Sequence, residues 1–141
     1  MSSNEGVIRI VREWVTKADN DLKTATHTLK LKQECPTDTV CFHAQQCVEK
    51  YVKALLTLEG IAFPKTHDIE QLFRLLPIDL ESTVNVEHQR SLTRYATVTR
   101  YPGTYDAVAL SQARQAVAIA RKIRQAIRRL LPRAAKSLSK A

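Results

Sequence analysis

The segment from Lys65 to Asp68, lysine-threonine-histidine-aspartate, is the first whose side chains could bind an anion. It lies at a predicted helix start, where free backbone N–H groups point outward and Lys65 adds positive charge. We assign no catalytic residue, and His67 is the only candidate for one. Thr66 and Asp68 are also common N-cap residues, so capping alone can explain both of them.

Two Arg-Tyr pairs precede a backbone break in the segment RYATVTRYPGTYD, residues 94–106. The arginines offer planar donors for phosphate, and the tyrosines offer ring faces on which a base can stack. Tyr101 precedes a proline and is biased away from helical geometry, so the helix before it is predicted to end at Arg100. Arg100 there would also offset the negative end of the helix dipole. We predict a ligand site that combines this segment with the first one, using Arg94, Tyr95, Arg100 and Tyr101.

Five polar residues lie on the predicted non-core face of the second helix, FHAQQCVEKYVKALL. Glu49 precedes Lys53 by four residues, the favourable order for an ion pair on one helix. A solvated surface is one interpretation of this face. The other is a polar seam that packs against another helix or subunit. The residues are Gln45, Gln46, Glu49, Lys50 and Lys53.

The positive charge of the chain is concentrated in its last quarter. Residues 107–141 contain nine lysines and arginines and no acidic residue, whereas the first 106 residues contain 13 basic and 14 acidic residues. Most of this charge falls on the polar side of the last predicted helix. Attraction to a phosphate backbone is one interpretation, and a solvated basic face is the other.

Several classes of site have no motif in the sequence. There is no glycine-rich phosphate loop, dinucleotide-binding fingerprint or metal-ligand pair, so we predict neither a cofactor nor a metal site. Cys35, Cys41 and Cys47 match no zinc motif and leave one thiol over in any disulfide scheme, which favours free thiols in a reducing cytoplasm. No apolar run reaches the roughly 18 residues of a membrane span. We therefore expect a cytoplasmic protein with no membrane partner.

The elements that must position these side chains are all predicted to be helices. Apolar residues recur at steps of three and four in the first, second and last of them, and alternating strand patterns are absent. The five predicted helices end at Pro36, at Gly60, at Pro77, at Arg100 and near residue 131. This order predicts an all-α fold, an antiparallel bundle of four long helices and one short helix. Residues 1–131 form the predicted domain, and residues 132–141 a basic disordered tail.

The string CFHAQQCVEKYVKALLTLEGIAFPKTHDIEQL, followed by RYATVTRYPG, resembles the HEPN domain family. The resemblance rests on three blocks in order, F-x-A-Q-Q-x-x-E-K-x-x-K-A-L, then T-H-D, then R-Y-P. It implies a bundle like the substrate-binding subunits of nucleotidyltransferases, a homodimer, and a connection to nucleotides or RNA. The positions that match the three blocks are Gln45, Gln46, Glu49, Lys50, Lys53, Thr66, His67, Asp68, Arg100, Tyr101 and Pro102.

Many HEPN proteins act as toxins or cleave RNA through an Arg-x(4–6)-His motif at the dimer cleft, and this chain departs from that pattern. No histidine in it follows an arginine with four to six residues between them. We therefore predict a homodimeric module that binds a nucleotide or RNA phosphate and works with a nucleotidyltransferase partner in a toxin–antitoxin-like pair. Two alternatives stay open. One is an RNA-cleaving enzyme that uses His67 with Arg94 or Arg100, and the other is a structural domain that docks a partner through its Gln/Glu/Lys seam.

Overall fold

The structure is a computed structural model that describes residues 2–97, 102 and 107–136. Across these residues the chain forms helices and no strand, which confirms the all-α prediction. A single 3₁₀ turn, Lys32–Glu34, joins the first two helices. The α-helices are α1 (Ser2–Leu29), α2 (Thr37–Leu58), α3 (Ile69–Leu75), α4 (Val86–Ala96), α5 (Leu110–Arg128) and α6 (Arg133–Lys136). The predicted bundle of four long helices and one short helix is present, and α6 is added to it.

Helix α2 lies at the centre of the bundle and packs against α1, α3, α4 and α5. The apolar positions that its periodicity predicted, such as Ala44 and Tyr51, are fully buried. Three residues predicted on its non-core face are buried as well: Gln45, Glu49 and Lys53. Of the two interpretations of this face, the solvated surface therefore does not hold for these three residues, because α2 is covered by four other helices.

Local signals account for the end of α2 and for the start of α3. Gly60 adopts a left-handed backbone with φ of 70°, and Ile61 N–H donates to the Leu56 carbonyl at 2.9 Å, so the predicted glycine stop is confirmed. Of the two candidate N-cap residues, Asp68 caps α3 and accepts a hydrogen bond from Gln71 N–H at 3.1 Å. Thr66 instead accepts a bond from the Asp68 N–H.

The last helices differ in their bounds from the prediction. The predicted end of the fourth helix at Arg100 lies outside the described residues, which follow α4 only as far as Thr97. Helix α5 begins at Leu110, because Ala109 is extended and its N–H is capped by the Gln112 side chain at 2.8 Å. Since α5 ends at Arg128, Leu130 turns outward and is 45% exposed, although the periodicity predicted it in the core.

Part of the segment that the sequence predicted to be a disordered tail is helical. Arg133–Lys136 forms α6, and Ala135 is fully buried against the bundle. Small apolar side chains need little surface to pack, so one buried alanine and contacts with α1 are enough to seat a single turn. Residues 137–141 lie outside the described residues.

The three cysteines are buried free thiols, as predicted. Burial raises the pKa of each thiol, that of Cys41 to about 12, so none of them is a reactive nucleophile in the fold. Among the helices that the structure describes, none combines the length and the apolar composition that crossing a membrane requires.

Candidate functional site

Four residues at four-residue spacing form a row along α2, namely Cys41, Gln45, Glu49 and Lys53. Residues four apart lie on one face of a helix, so this row presents a single strip of side chains. The strip receives Tyr95 of α4 at Cys41 and the loop before α3 at Gln45 and Glu49. The row therefore gathers segments that are far apart in the sequence.

Glu49 is the centre of this row and accepts hydrogen bonds from four side chains. Its side chain is only 5% exposed. Burial alone would raise the pKa of Glu49, but the bonds from Lys53, His67 and Gln45 outweigh it and hold the pKa below the ordinary value of 4.5. Glu49 is thus a carboxylate near neutral pH. Its donors are Lys53 Nζ at 2.8 Å on Oε2, and His67 Nδ1 at 2.9 Å, Gln45 Nε2 at 3.0 Å and Gln46 Nε2 at 3.2 Å on Oε1.

His67 presents its other ring nitrogen outward. A carboxylate can only accept hydrogen bonds, so Nδ1 must carry the proton that it shares with Glu49. In the neutral ring Nε2 is then the unprotonated nitrogen. The His67 side chain is 55% exposed, whereas its partner is buried. An imidazole oriented by a carboxylate in this way is suited to accept a proton or to contact a phosphate oxygen once charged.

Lys53 is a buried cation with two kinds of partner. Its Nζ lies 2.8 Å from Glu49 Oε2 and 5.7 Å from the ring centroids of both Trp14 and Phe63. The two rings meet edge to face, with centroids 6.5 Å apart. Lys53 therefore neutralises Glu49 from inside the subunit, where another protein cannot reach it.

The backbone of the loop before α3 is held in place on three sides. The His67 carbonyl accepts a hydrogen bond from Gln45 Nε2 at 3.1 Å, and Ile69 N–H donates to Thr93 Oγ1 at 2.9 Å. Gln71 N–H donates a hydrogen bond to the Asp68 side chain. Two of the first three N–H groups of α3 thus already have partners, which leaves little of the predicted anion site at this helix start. The side chains of Lys65 and His67 remain exposed there.

The predicted residues on α4 point in different directions. The Arg94 side chain is exposed and has no hydrogen bond or ion pair with the described residues. Tyr95 is half-buried and packs at Cys41, and burial followed by that contact raises the pKa of Tyr95 to about 12. Its ring is therefore part of the packing of α4 on α2. The predicted partners Arg100 and Tyr101 lie outside the described residues.

A second cluster of charges, between α1, α2 and α5, is absent from the sequence prediction. Asp21 accepts His43 Nδ1 at 2.8 Å and Lys50 Nζ at 2.6 Å, so Lys50 binds α1 and does not join the Glu49 row. Asp19 accepts the Tyr51 hydroxyl at 2.5 Å and Arg124 Nε at 2.8 Å. Two aspartates beside the apolar stripe of α1, at Ala18 and Leu22, are the signal that could have pointed to this cluster.

Within the part of the chain that the structure describes, no group of three histidine, cysteine, aspartate or glutamate side chains could hold a metal ion.

Most of the predicted site residues that the structure describes fall into two sets. Gln45, Gln46, Glu49, Lys53 and His67 come together in one network, which we call the Glu49 cluster. Lys65 and Arg94 remain exposed cations, on the loop that carries His67 and on the helix whose Thr93 binds that loop.

Known proteins are similar to this chain in sequence and in architecture. The HEPN domain family model matches residues 11–130. A Methanocaldococcus jannaschii protein named "Putative toxin MJ1304" is 33% identical over 106 residues, which are 70% of this chain and 67% of that protein. The crystal structure of TT1696 from Thermus thermophilus matches with a TM-score of 0.71 and 30% identity, over 86% of this chain and 98% of that one. The structure of ST0689, an archaeal HEPN homologue, matches with a TM-score of 0.65 and 25% identity, over 85% and 96%.

Proposed function

The chain belongs to the HEPN domain family, and from this premise we propose that it is a homodimeric module that binds the phosphate groups of a nucleotide or RNA. The observation that carries the proposal is the Glu49 cluster. It fixes an exposed imidazole on a loop that also carries the exposed Lys65, and the same loop is bound by Thr93 of α4, next to the exposed Arg94 in sequence. Exposed donors on these neighbouring segments suit an anionic ligand.

We place the module in a toxin–antitoxin-like pair whose other chain is a nucleotidyltransferase. The support is the relative from Methanocaldococcus jannaschii, whose name describes it as a putative toxin, together with the family's link to nucleotidyltransferases. The pair would act in the cytoplasm, which suits three free thiols. Co-expression with the neighbouring reading frame, followed by size-exclusion chromatography with light scattering, tests both the dimer and the partner.

A second candidate function is RNA cleavage, because the Glu49–His67 pair has the arrangement of a general acid or base with its orienting carboxylate. Arg94 would supply the positive charge. The third hypothesis, docking through the Gln/Glu/Lys seam, receives less support, since Gln45, Glu49 and Lys53 are buried inside the subunit.

Binding is tested by titrating ATP and a short single-stranded RNA into the protein at two salt concentrations. The double variant Lys65→Gln/Arg94→Gln removes one exposed cation from the His67 loop and one from α4, and we expect about tenfold weaker binding at low salt. Arg74→Gln/Arg90→Gln is the matched control, because it makes the same charge change where both arginines already pair with Glu70. Equal losses of affinity in the two variants would show that the effect depends only on the overall charge of the protein.

Cleavage is tested with His67→Ala, using His43→Ala as the control. Both imidazoles bond a carboxylate through Nδ1, at 2.9 and 2.8 Å, but only the ring of His67 is more than half exposed. Activity that disappears in His67→Ala and survives in His43→Ala would make the chain a nuclease. Equal activity in both variants and in the wild type would assign the cleavage to a contaminant.

A further inference from the structure

A groove of about 750 Å³ opens between α1, α5 and α6. It lies beside Asp19, on the side of α2 where Tyr51 points, and not on the side of the Glu49 row. Five of the residues that line the groove are cations, and Asp19 is its one acidic residue. We call it the basic groove, and its cations are Arg12, Lys23, Arg121, Arg124 and Lys136.

Neutral oxygens hold three of these cations in place. Arg12 Nη1 donates to the Ala134 carbonyl at 3.0 Å, and Arg121 Nη2 donates to the Thr26 hydroxyl at 3.1 Å. Lys136 Nζ donates to a backbone carbonyl of α5 at 2.8 Å. An uncharged acceptor orients a guanidinium but leaves its charge uncompensated, so further donors remain for an anion.

An arginine pair elsewhere on the surface is bound in a different way. Arg74 and Arg90 both bond Glu70, at 3.0 and 2.9 Å, so a carboxylate meets their charge. In the basic groove, Arg12 and Arg121 have no ion pair with any described residue. Uncompensated charge held in a concave surface raises the local concentration of anions.

Apolar side chains also line the groove, among them the buried Val15 and the half-buried Leu22. The volume falls within the range of about 300 to 1,000 Å³ that is usual for sites of small ligands. A suitable occupant therefore combines an anionic group with a flat, weakly polar body. A nucleotide meets both conditions, whereas an acidic peptide offers carboxylates without a flat body to cover Val15 and Leu22.

We propose that the basic groove binds a short stretch of single-stranded RNA, with one phosphate on Arg12, another on Arg121 and a base over Leu22 between them. The site is independent of the one at His67, because no residue belongs to both. It would give the bundle two places for an RNA strand, one on either side of α2.

The test measures binding of a fluorescent single-stranded hexanucleotide by anisotropy at about 50 and 200 mM salt. For Arg12→Gln/Arg121→Gln we expect at least about tenfold weaker binding at the lower salt. The slope of log affinity against log salt should fall by about 1.4, since each phosphate contact to a single strand contributes about 0.7. The control Arg74→Gln/Arg90→Gln makes the same change of net charge away from the groove, at two exposed arginines that share the Glu70 carboxylate, and should bind within about twofold of the wild type.

Thermal unfolding of each variant shows whether a loss of binding reflects misfolding. Lys23→Gln is the second groove variant, because the Lys23 side chain has no hydrogen bond to lose among the described residues. This change should weaken binding about threefold. Equal losses in the groove and control variants would overturn the proposal, as would unchanged binding in both groove variants.

Amide chemical shifts locate the ligand and separate this proposal from the preceding one. On titration with AMP, we expect the largest changes at Asn20, Thr26 and Arg121, and these changes should survive in Lys65→Gln/Arg94→Gln. Changes confined to the loop around His67 would support the first site and overturn this one. A glutamate-rich peptide that binds the groove more tightly than the hexanucleotide would also overturn it.

Discussion

The Glu49 cluster and the basic groove treat charge in opposite ways. In the Glu49 cluster a buried carboxylate is met by Lys53, His67 and two amides, so the charges balance and one imidazole edge is left for solvent. In the basic groove, cations outnumber the one carboxylate, and neutral oxygens hold Arg12 and Arg121. The Glu49 cluster contributes to folding as well as to the candidate site, whereas the basic groove contributes mainly a positive electrostatic potential.

The difference has a consequence for mutations. Removing a group from a balanced, buried cluster leaves its partner without compensation inside the protein, which is strongly destabilising. Removing a cation from an unbalanced surface relieves repulsion and costs one exposed hydrogen bond. Stability and binding should therefore respond to different residues in the two regions.

The largest effect is expected for Glu49→Ala. The change leaves the buried Lys53 ammonium without its carboxylate, so we expect the free energy of unfolding to fall by about 3 kcal/mol. Urea denaturation monitored by circular dichroism measures it. The control is Glu70→Ala, which removes a carboxylate that binds two exposed arginines on the surface and should cost much less. Similar losses in the two variants would contradict the special status of Glu49.

A somewhat smaller loss is expected for Asp19→Ala, at the one acidic residue that lines the basic groove. Asp19 accepts the buried Tyr51 hydroxyl and Arg124, and removing it should lower the free energy of unfolding by about 2 kcal/mol. The same change removes the one negative charge of the basic groove, so hexanucleotide binding should hold or tighten. Asp79→Ala, at an exposed turn, is the control for stability. Weaker RNA binding by a folded Asp19→Ala protein would contradict the role given to the groove.

The sequence predicted the helices better than it predicted these two regions. The period of apolar residues indicated α2, and Gly60 indicated its end, because both signals are local. The burial of Gln45 and Glu49 depends on a loop some 20 residues further along the chain, which no local pattern records.

The basic groove was predictable only in part. The excess of positive charge in the last quarter includes Arg121 and Arg124, which line the groove. Arg12 could not be added, because it meets Ala134 across 122 residues and only the packing of α1 against α6 joins them. Similarly, the pair of His43 and Asp21 depends on the register between α1 and α2.

A pH-dependent effect of intermediate size is expected in the Glu49 cluster. Burial raises the pKa of Glu49, but the bonds from Lys53, His67 and Gln45 outweigh it, so the folded pKa lies below the ordinary 4.5. A carboxyl group with a lowered pKa adds stability that is complete above the ordinary value and is lost as pH falls through the folded value. The difference in unfolding free energy between wild type and Glu49→Gln should therefore stay constant down to about pH 5.5 and shrink below about pH 4.5.

Urea titrations of both proteins at several pH values measure this difference. A His67→Gln background removes the imidazole and leaves Lys53 and Gln45 as donors to Glu49. In that background the difference should keep the same direction of change with pH. A difference that grew on acidification would mean that burial, and not the hydrogen bonds, controls the ionisation of Glu49.

The smallest effect on stability is expected for Arg12→Gln/Arg121→Gln, the variant with the largest expected effect on binding. Each arginine loses one hydrogen bond to a neutral oxygen at the surface, which is worth about 0.5 kcal/mol, and the loss of two positive charges relieves repulsion within the groove. The free energy of unfolding should thus change by less than about 1 kcal/mol in urea, and raising the salt concentration should stabilise the wild type more than the variant. Loss of the fold in this variant would show that Arg12 holds α6 to α1, and the two regions would then no longer differ in kind.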